Sequence, residues 1–253
     1  MNWKKISLYV GLPVTILILY LGGMILVPYP GQKLGNVVFS ERGIIEIGTA
    51  AFFFLAALFA FLLWYKTAFS KVGKWRVIYL LLGLAVLFVA LEEINYGQFF
   101  FEFETPQHLS KYSSKDEFNL HNLFANKPAH RLNLIATIGF PVFFIVLPLI
   151  AFRSQNSYCP QNWTYYFLPQ RQLLLFVIIG QLMTWFDDVF EFFGIKNTWT
   201  AEATETKELY WALAVLLWMI ILFRRIVLQT ESATDFSGTL LASEHNEMVG
   251  SVK

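Results

Sequence analysis

The sequence predicts an all-α fold: a polytopic membrane helical bundle with six transmembrane helices and both termini in the cytoplasm. Three observations carry that expectation. Of 253 residues, 56% are hydrophobic and only 15% charged, against about 25% charged in ordinary soluble domains. The mean hydropathy is +0.51. The apolar residues run in continuous blocks close to the roughly 20 residues a helix needs to cross the hydrocarbon, and not in alternating segments of about 10 as barrel strands would. A bilayer has no water to satisfy backbone groups, so helices are the form such blocks must take.

The first span, 6–27, follows Lys4 and Lys5 and so has the flanks of a signal peptide. Its apolar run exceeds the usual h-region of about 7–15 residues and lacks a small-x-small cleavage site, which makes it a retained helix. The second span, 43–65, carries Glu46 three residues in. The third, 76–96, opens at Arg76 and closes on Glu92 and Glu93. The fourth, 132–152, follows Arg131. The fifth, 172–193, follows Arg171 and ends in Asp187, Asp188 and Glu191. The sixth, 209–226, closes on Arg224 and Arg225. Residues 1–228 form one six-helix transmembrane domain with a long outer loop at 97–131. The tail, 229–253, is rich in Ser, Thr and Glu without a sustained apolar face, and its composition predicts a disordered cytoplasmic segment. Orientation follows from Lys4, Lys5, Lys66, Lys71, Lys74, Arg153, Arg171, Arg224 and Arg225, which this topology gathers on one side. The positive-inside rule makes that side cytoplasmic.

Several function classes drop out. A net charge of +1 gives no field for nucleic acid. The single Cys159 excludes an internal disulfide and a multi-cysteine metal site. No Gly-x-Ser-x-Gly elbow and no glycine-rich phosphate loop occurs. The outer loop begins with Phe99, Phe100 and Phe101, then alternates Glu102, Phe103 and Glu104, a pattern suited to the lipid interface. It also holds His108, His121 and His130.

The acids at the ends of the apolar runs are the strongest pointer to function. A carboxylate at membrane depth costs about 2.5 kcal/mol or more and normally has a partner and a task. At 1.5 Å per residue, Glu92 lies about 24 Å from the cytoplasmic side and Asp188 at a similar height. Glu46, Glu208, Arg131 and Asn133 fall at the same outer level. In the fifth span Gln181, Thr184, Asp188 and Glu191 follow i, i+3, i+7, i+10 and share one helix face. Glu92 and Glu93 point about 100° apart, so one faces this polar stripe while the other caps or bonds to the outer loop. Three fates are open to these carboxylates: pairing with Arg131, a histidine or Lys196 as structural glue; protonation and acid–base work; or ligation of a divalent metal. For the last, Glu92, His121, Asp188 and Glu191 offer oxygen and imidazole donors suited to manganese, iron or zinc. The run Asp187, Asp188, Val189, Phe190, Glu191 also has the look of a diphosphate-binding aspartate motif, but no second copy occurs.

The segments Leu91-Glu92-Glu93-Ile94-Asn95-Tyr96-Gly97-Gln98, Phe103-Glu104-Thr105-Pro106 and Glu117-Phe118-Asn119-Leu120-His121-Asn122 resemble a family of multi-pass bacterial inner-membrane proteins with no assigned activity. That family's pattern reads Glu-Glu-Ile-Ser-Trp-Gly-Gln, then Thr-Pro, then Glu-x-Asn-Leu-His-Asn. This chain departs from it at Asn95 and Tyr96. The resemblance covers about the central two-thirds of the chain. It implies an inner-membrane location and one shared feature made by Glu46, Glu92, Glu93, Gln98, Glu117, Asn119, His121 and Asn122.

Three functional readings follow. In the first, Glu92, Glu93, His121, Asp188 and Glu191 are the catalytic set of an enzyme acting on a lipid or lipid-linked substrate, by metal or by acid–base chemistry. Glu46, Gln98, Glu117, Asn119, Asn122, Arg131 and Asp187 would support them. In the second, the outer loop docks a membrane-protein partner in envelope assembly. In the third, the acids belong to a transporter of protons, cations or small solutes. The cytoplasmic halves of the third and fifth spans, 77–89 and 173–179, have no ionisable residue, which counts against a continuous path.

Overall fold

The computed structural model describes residues 7–26, 43–68, 73, 76–101, 103–106, 137–153, 159, 162–193 and 203–250. Among these residues the fold is all-α, with no strand. A π-helical turn, Ser7–Gly11, leads into α1, Leu12–Leu26. Then come α2, Ile44–Thr67, and α3, Arg76–Glu93. A single turn of 3-10 helix, Asn95–Gly97, precedes the short α4, Gln98–Phe101. The apolar segment Thr137–Phe152 contains a π-helical turn, Val142–Val146, and ends in α5, Leu147–Phe152. Last are α6, Leu174–Phe192, and α7, Ala203–Gly250. The π turn has a local cause: Pro148 has no N–H to offer, and the Leu147 N–H reaches back to the Val142 carbonyl instead.

Among the described residues, two helical stretches are long and apolar enough, by length and composition, to cross a membrane. They are Ile44–Thr67, with 24 residues and a mean hydropathy of 2.3, and Glu205–Val227, with 23 residues and 1.8. Ser7–Gly22, Thr137–Phe152 and Arg171–Met183 are apolar but shorter.

The last helix is the hub. In its most apolar 18-residue stretch 67% of the residues are buried, against 39% in the corresponding stretch of α2. From Tyr210 through Met219 every side chain is enclosed, so α7 is apolar on all sides there, as an interior helix must be. It packs against α2 on one flank and α6 on the other, and α2 also carries α3. Small residues let α2 approach its neighbours: Ala56, Ala57 and Ala60 are fully buried. The segment Thr137–Phe152 joins through rings, with Phe140 stacked on Trp211 at 4.5 Å and Phe143 edge-on to Trp218 at 5.0 Å. Outward faces stay apolar, including Leu55, Leu58, Leu81, Leu84, Ile178 and Leu182.

Contacts between helices fix their register. Gly48 lies beside Leu209, and Phe59 beside Phe223, so α2 and α7 run parallel. Gly83 meets Phe61, and Gly180 meets Tyr210, while Trp218 donates to the Phe167 carbonyl at 3.0 Å. Thus α3 and α6 run the other way. The bundle therefore has two ends of opposite character. At the basic end three cations rest on rings: Arg76 over Trp64 at 4.9 Å, Arg171 over Phe152 at 4.7 Å, and Arg225 over Tyr165 at 4.6 Å. Arg225 also donates to the Tyr165 carbonyl. The Tyr79 hydroxyl closes this end by donating to the Tyr166 carbonyl at 3.1 Å. The Tyr210 hydroxyl donates to the Pro13 carbonyl at 2.7 Å, which pins α1 against α7.

Two helices differ from expectation at their ends. Regular helix in α3 stops at Glu93 and does not reach Tyr96, because the chain turns left-handed there. The final helix starts at Ala203, ahead of the expected 209, and its backbone stays helical to Gly250, where composition predicts a disordered tail. Adding residues to a packed helix is cheap once the nucleus exists, and 229–250 contains no proline to stop it.

Candidate functional site

The buried stripe of α3 is Tyr79, Gly83, Val86 and Ala90, at helical spacings of four, three and four. Glu93 is the next position on that stripe, so it inherits the interior face, and Glu92 does not. The Glu93 carboxyl is enclosed although the residue as a whole keeps partial exposure. Like charges bear on it from Glu208, Glu205, Glu46 and Glu92, in that order of strength. Carboxylates from the end of α3 and the starts of α2 and α7 therefore share one electrostatic neighbourhood at the end of the bundle opposite the arginines.

Glu92 is engaged differently. It accepts a hydrogen bond from the Tyr96 hydroxyl. The chain makes this bond by leaving the helix: Asn95 has φ 50°, Tyr96 φ 52° and Gly97 φ 90°. Asparagine tolerates this region, whereas a tyrosine there is strained, at a cost of about 1–3 kcal/mol that neighbouring contacts must offset. Two contacts are visible: the ring packs edge-on to Phe88 at 6.3 Å, and the Gly97 N–H donates to the Ile94 carbonyl at 2.9 Å. Gln98 then donates to the Thr105 hydroxyl at 3.3 Å and holds the segment after α4 against the turn. Beyond it Phe100 and Phe101 are exposed.

A second polar group lies around the first turns of α7. Lys207 is buried, 6% exposed, with its Nζ 5.0 Å from the centroid of the Trp211 ring. The Nε1 of Trp211, the hydroxyls of Thr206 and Thr49, and the Oε1 of Gln181 are all enclosed without a hydrogen-bond partner among the described residues. Gly180 brings α6 close here, since a Cβ on it would stand 3.3 Å from Trp211 Cδ1 and 3.4 Å from the Lys207 carbonyl.

The structure thus brings together Glu46, Glu92 and Glu93 of the sequence-predicted set, with Gln98 nearby in support. His121, Glu117, Asn119, Asn122 and Arg131 lie outside the described residues. Asp187, Asp188 and Glu191 occupy the last turns of α6, but their side chains lie outside the described set. Among the described residues no three His, Cys, Asp or Glu side chains stand close enough to hold a metal ion. Sequence reasoning missed Glu205, Thr49 and Thr206. One signal was available for Glu205: with Glu208 it makes an i, i+3 acidic pair at the start of an apolar helix, where the helix dipole favours negative charge.

No protein-family model, curated protein or solved structure matches the chain. The motif likeness around Glu92 and His121 therefore stands on those residues alone.

Proposed function

We propose that the chain is a six-span bacterial inner-membrane protein, with both termini cytoplasmic, whose outer carboxylate cluster is the acid–base centre of an enzyme acting on a lipid or lipid-linked substrate. One observation carries this reading: Glu93 sits on the buried face of α3, and the acids of α2 and α7 bear on it. Carboxylates crowded in this way titrate as a set, so one group can keep a proton while its neighbour accepts one. A proton donor and a proton acceptor side by side are what general acid–base catalysis requires. Glu93 and Glu208 are the pair to which we assign those roles, with Glu46 and Glu205 tuning them. A divalent metal enters this reading only with ligands from His121, Asp188 or Glu191, because the described carboxylates do not make a ligand set.

The transport reading fares worse. Below Glu93 the interior face of α3 is Ala90, Val86, Gly83 and Tyr79, which offers no carboxylate, histidine or lysine as a step for a proton or cation.

The test compares membrane lipids, by mass spectrometry, from cells lacking the chain and from cells complemented with wild type or Glu93→Gln. The expected result is a lipid species that accumulates without the chain, returns to normal with wild type, and stays elevated with the variant at equal protein level. An unchanged lipid profile in the deletion would overturn the reading. A partner that co-purifies with wild type and is lost on changing Phe101 would then favour the docking function.

A further inference from the structure

We infer that residues 163–168 are a hinged lid on the basic end of the bundle, latched shut by Tyr79, Trp218 and Arg225. The segment lies between α5 and α6. Such a connection normally runs over the surface, where water satisfies its carbonyls. Here side chains take three successive carbonyls instead. Arg225 donates to that of Tyr165, the Tyr79 hydroxyl to that of Tyr166 at 3.1 Å, and the Trp218 indole N–H to that of Phe167 at 3.0 Å.

The latches come from two helices. Tyr79 belongs to α3, and Trp218 and Arg225 belong to α7. Both helices pack extensively on α2 and hardly on each other, so the segment bridges them. The two interior latches are themselves fixed in the core. Tyr79 is fully buried, and its ring stacks on Phe167 at 5.7 Å. Trp218 is 4% exposed and meets Phe143 and Phe144 edge-on at 5.0 Å and 5.4 Å. With its donors held by the bundle, the segment is the part free to move.

Its backbone is built to move as a unit. The Tyr165 N–H donates to the Asn162 carbonyl at 3.1 Å, and the Phe167 and Leu168 N–H groups donate to the Thr164 carbonyl at 3.3 Å and 2.8 Å. Among the described residues no backbone bond ties the turn to another helix, so it can swing away with its own bonds intact. Extended residues stand on both sides of it: Asn162 at φ −99°, ψ 137°, and Gln170 at φ −79°, ψ 146°. Hinges form at such element-terminal positions, which absorb changes in φ and ψ. Pro169 disfavours helix at Leu168 and keeps the turn separate from α6.

Closed, the lid covers Tyr79, the first residue of the buried stripe that runs along α3 toward Glu93. Glu93 lies fourteen residues further on, about 21 Å along the helix. The carboxylates therefore stand at one end of the bundle and the lid at the other. The lid decides whether the interior is reached from the basic end, whatever chemistry Glu93 performs.

The chain has one cysteine, so Cys159→Ser gives a background in which a single new thiol reports. Leu168→Cys places that thiol on the buried side of the lid, where Leu168 is 5% exposed, and Ala57→Cys places it in the packed interior of α2. The experiment labels each, in the purified full chain in detergent, with a water-soluble maleimide. It is repeated with Tyr79→Phe, which keeps the ring and removes one latch. Labelling of Leu168→Cys is expected to become about fivefold faster with Tyr79→Phe, the weight of one hydrogen bond in the opening equilibrium. Arg225→Gln should act in the same direction, and Ala57→Cys should stay protected throughout. Equal rates at position 168 with and without the latch overturn the inference, because the segment is then a fixed plug. A matching rise at position 57 also overturns it, because the segment then opens only when the bundle unfolds. If Leu168→Cys does not fold, hydrogen exchange at the amides of Tyr165, Phe167 and Leu168 decides, with the amides of Ala56, Ala57 and Ala60 as the control. A joint fivefold acceleration in Tyr79→Phe supports the lid, and unchanged rates overturn it.

Discussion

A Cβ added to Gly180 would stand 2.9 Å from the Cβ of Tyr210, so α6 and α7 touch there backbone to backbone. That crossing positions Lys207 and Trp211 against Gln181, and it is available only to glycine. Tyr210 cannot move aside cheaply, because it is fully buried and its hydroxyl is bonded to the Pro13 carbonyl.

We predict that Gly180→Ala destabilises the fold by about 1–3 kcal/mol through overpacking. Gly22 is the control: nothing lies within 4 Å of a Cβ added there, inside the regular helix α1. Gly22→Ala should stabilise by about 0.5–1 kcal/mol, since it removes the entropy cost of a helical glycine. Thermal unfolding in detergent checks both, and equal shifts would show that the α6–α7 crossing is not tight.

Adjacent glutamates should respond with opposite sign. Glu93 carries the repulsion of four other carboxylates. Glu93→Gln removes it and should leave stability unchanged or raise it by on the order of 1 kcal/mol. Glu92 accepts the Tyr96 hydrogen bond that holds a strained turn. Glu92→Gln weakens that charge-assisted bond and should cost about 1 kcal/mol. Melting curves of the two variants at neutral pH decide the matter. A drop of similar size in both would mean that Glu93 is a structural partner and not a crowded charge.

Tyr165, in the connection before α6, supplies a pH dependence. Burial raises its pKa above the ordinary value of 10.0, with Arg225 opposing and Tyr166 adding to the shift. The unfolded chain therefore gives up this proton first. The contribution to stability is complete below the unfolded value and is lost as pH rises through the folded one. We predict that Tm falls more steeply above about pH 10 in wild type than in Tyr165→Phe. Parallel curves would mean that the phenol ionises as readily in the folded chain.

Much of this arrangement was legible in the chain and some was not, for physical reasons. All-helical character follows from continuous apolar blocks, and each of the six expected spans has a helix within it. Convergence of Glu46 with Glu92 and Glu93 was readable because depth counts linearly along a helix. The division of labour between the two glutamates was half-readable. A 100° separation says that they differ, but only the stripe Tyr79, Gly83, Val86, Ala90 says which faces inward. Lys207 was hidden, since a lysine near the start of a span looks like an interfacial anchor. Its burial depends on Gly180 and Trp211 from a tertiary crossing that no local pattern encodes. The left-handed turn at Asn95 and Tyr96 was hidden too, because the run from Leu91 to Gln98 has no proline to announce a break.

That turn yields the last prediction. Gly97 has φ 90°, which L side chains rarely adopt, and an added Cβ would lie 3.1 Å from the Phe101 ring. Gly97→Ala should therefore cost about 1–2 kcal/mol from backbone strain alone. Asn95 has φ 50°, which glycine reaches without strain. Asn95 is not free of other interactions, so Asn95→Gly should come out near neutral, the relief of strain offsetting whatever part of them its side chain carries. The two variants separate strain from side-chain chemistry. If the turn positions Tyr96 on Glu92, Gly97→Ala should also expose the phenol, seen as faster modification of Tyr96 by a tyrosine-specific reagent, while Asn95→Gly leaves it protected. Equal protection in both variants would mean that the Glu92–Tyr96 bond holds without help from the backbone turn.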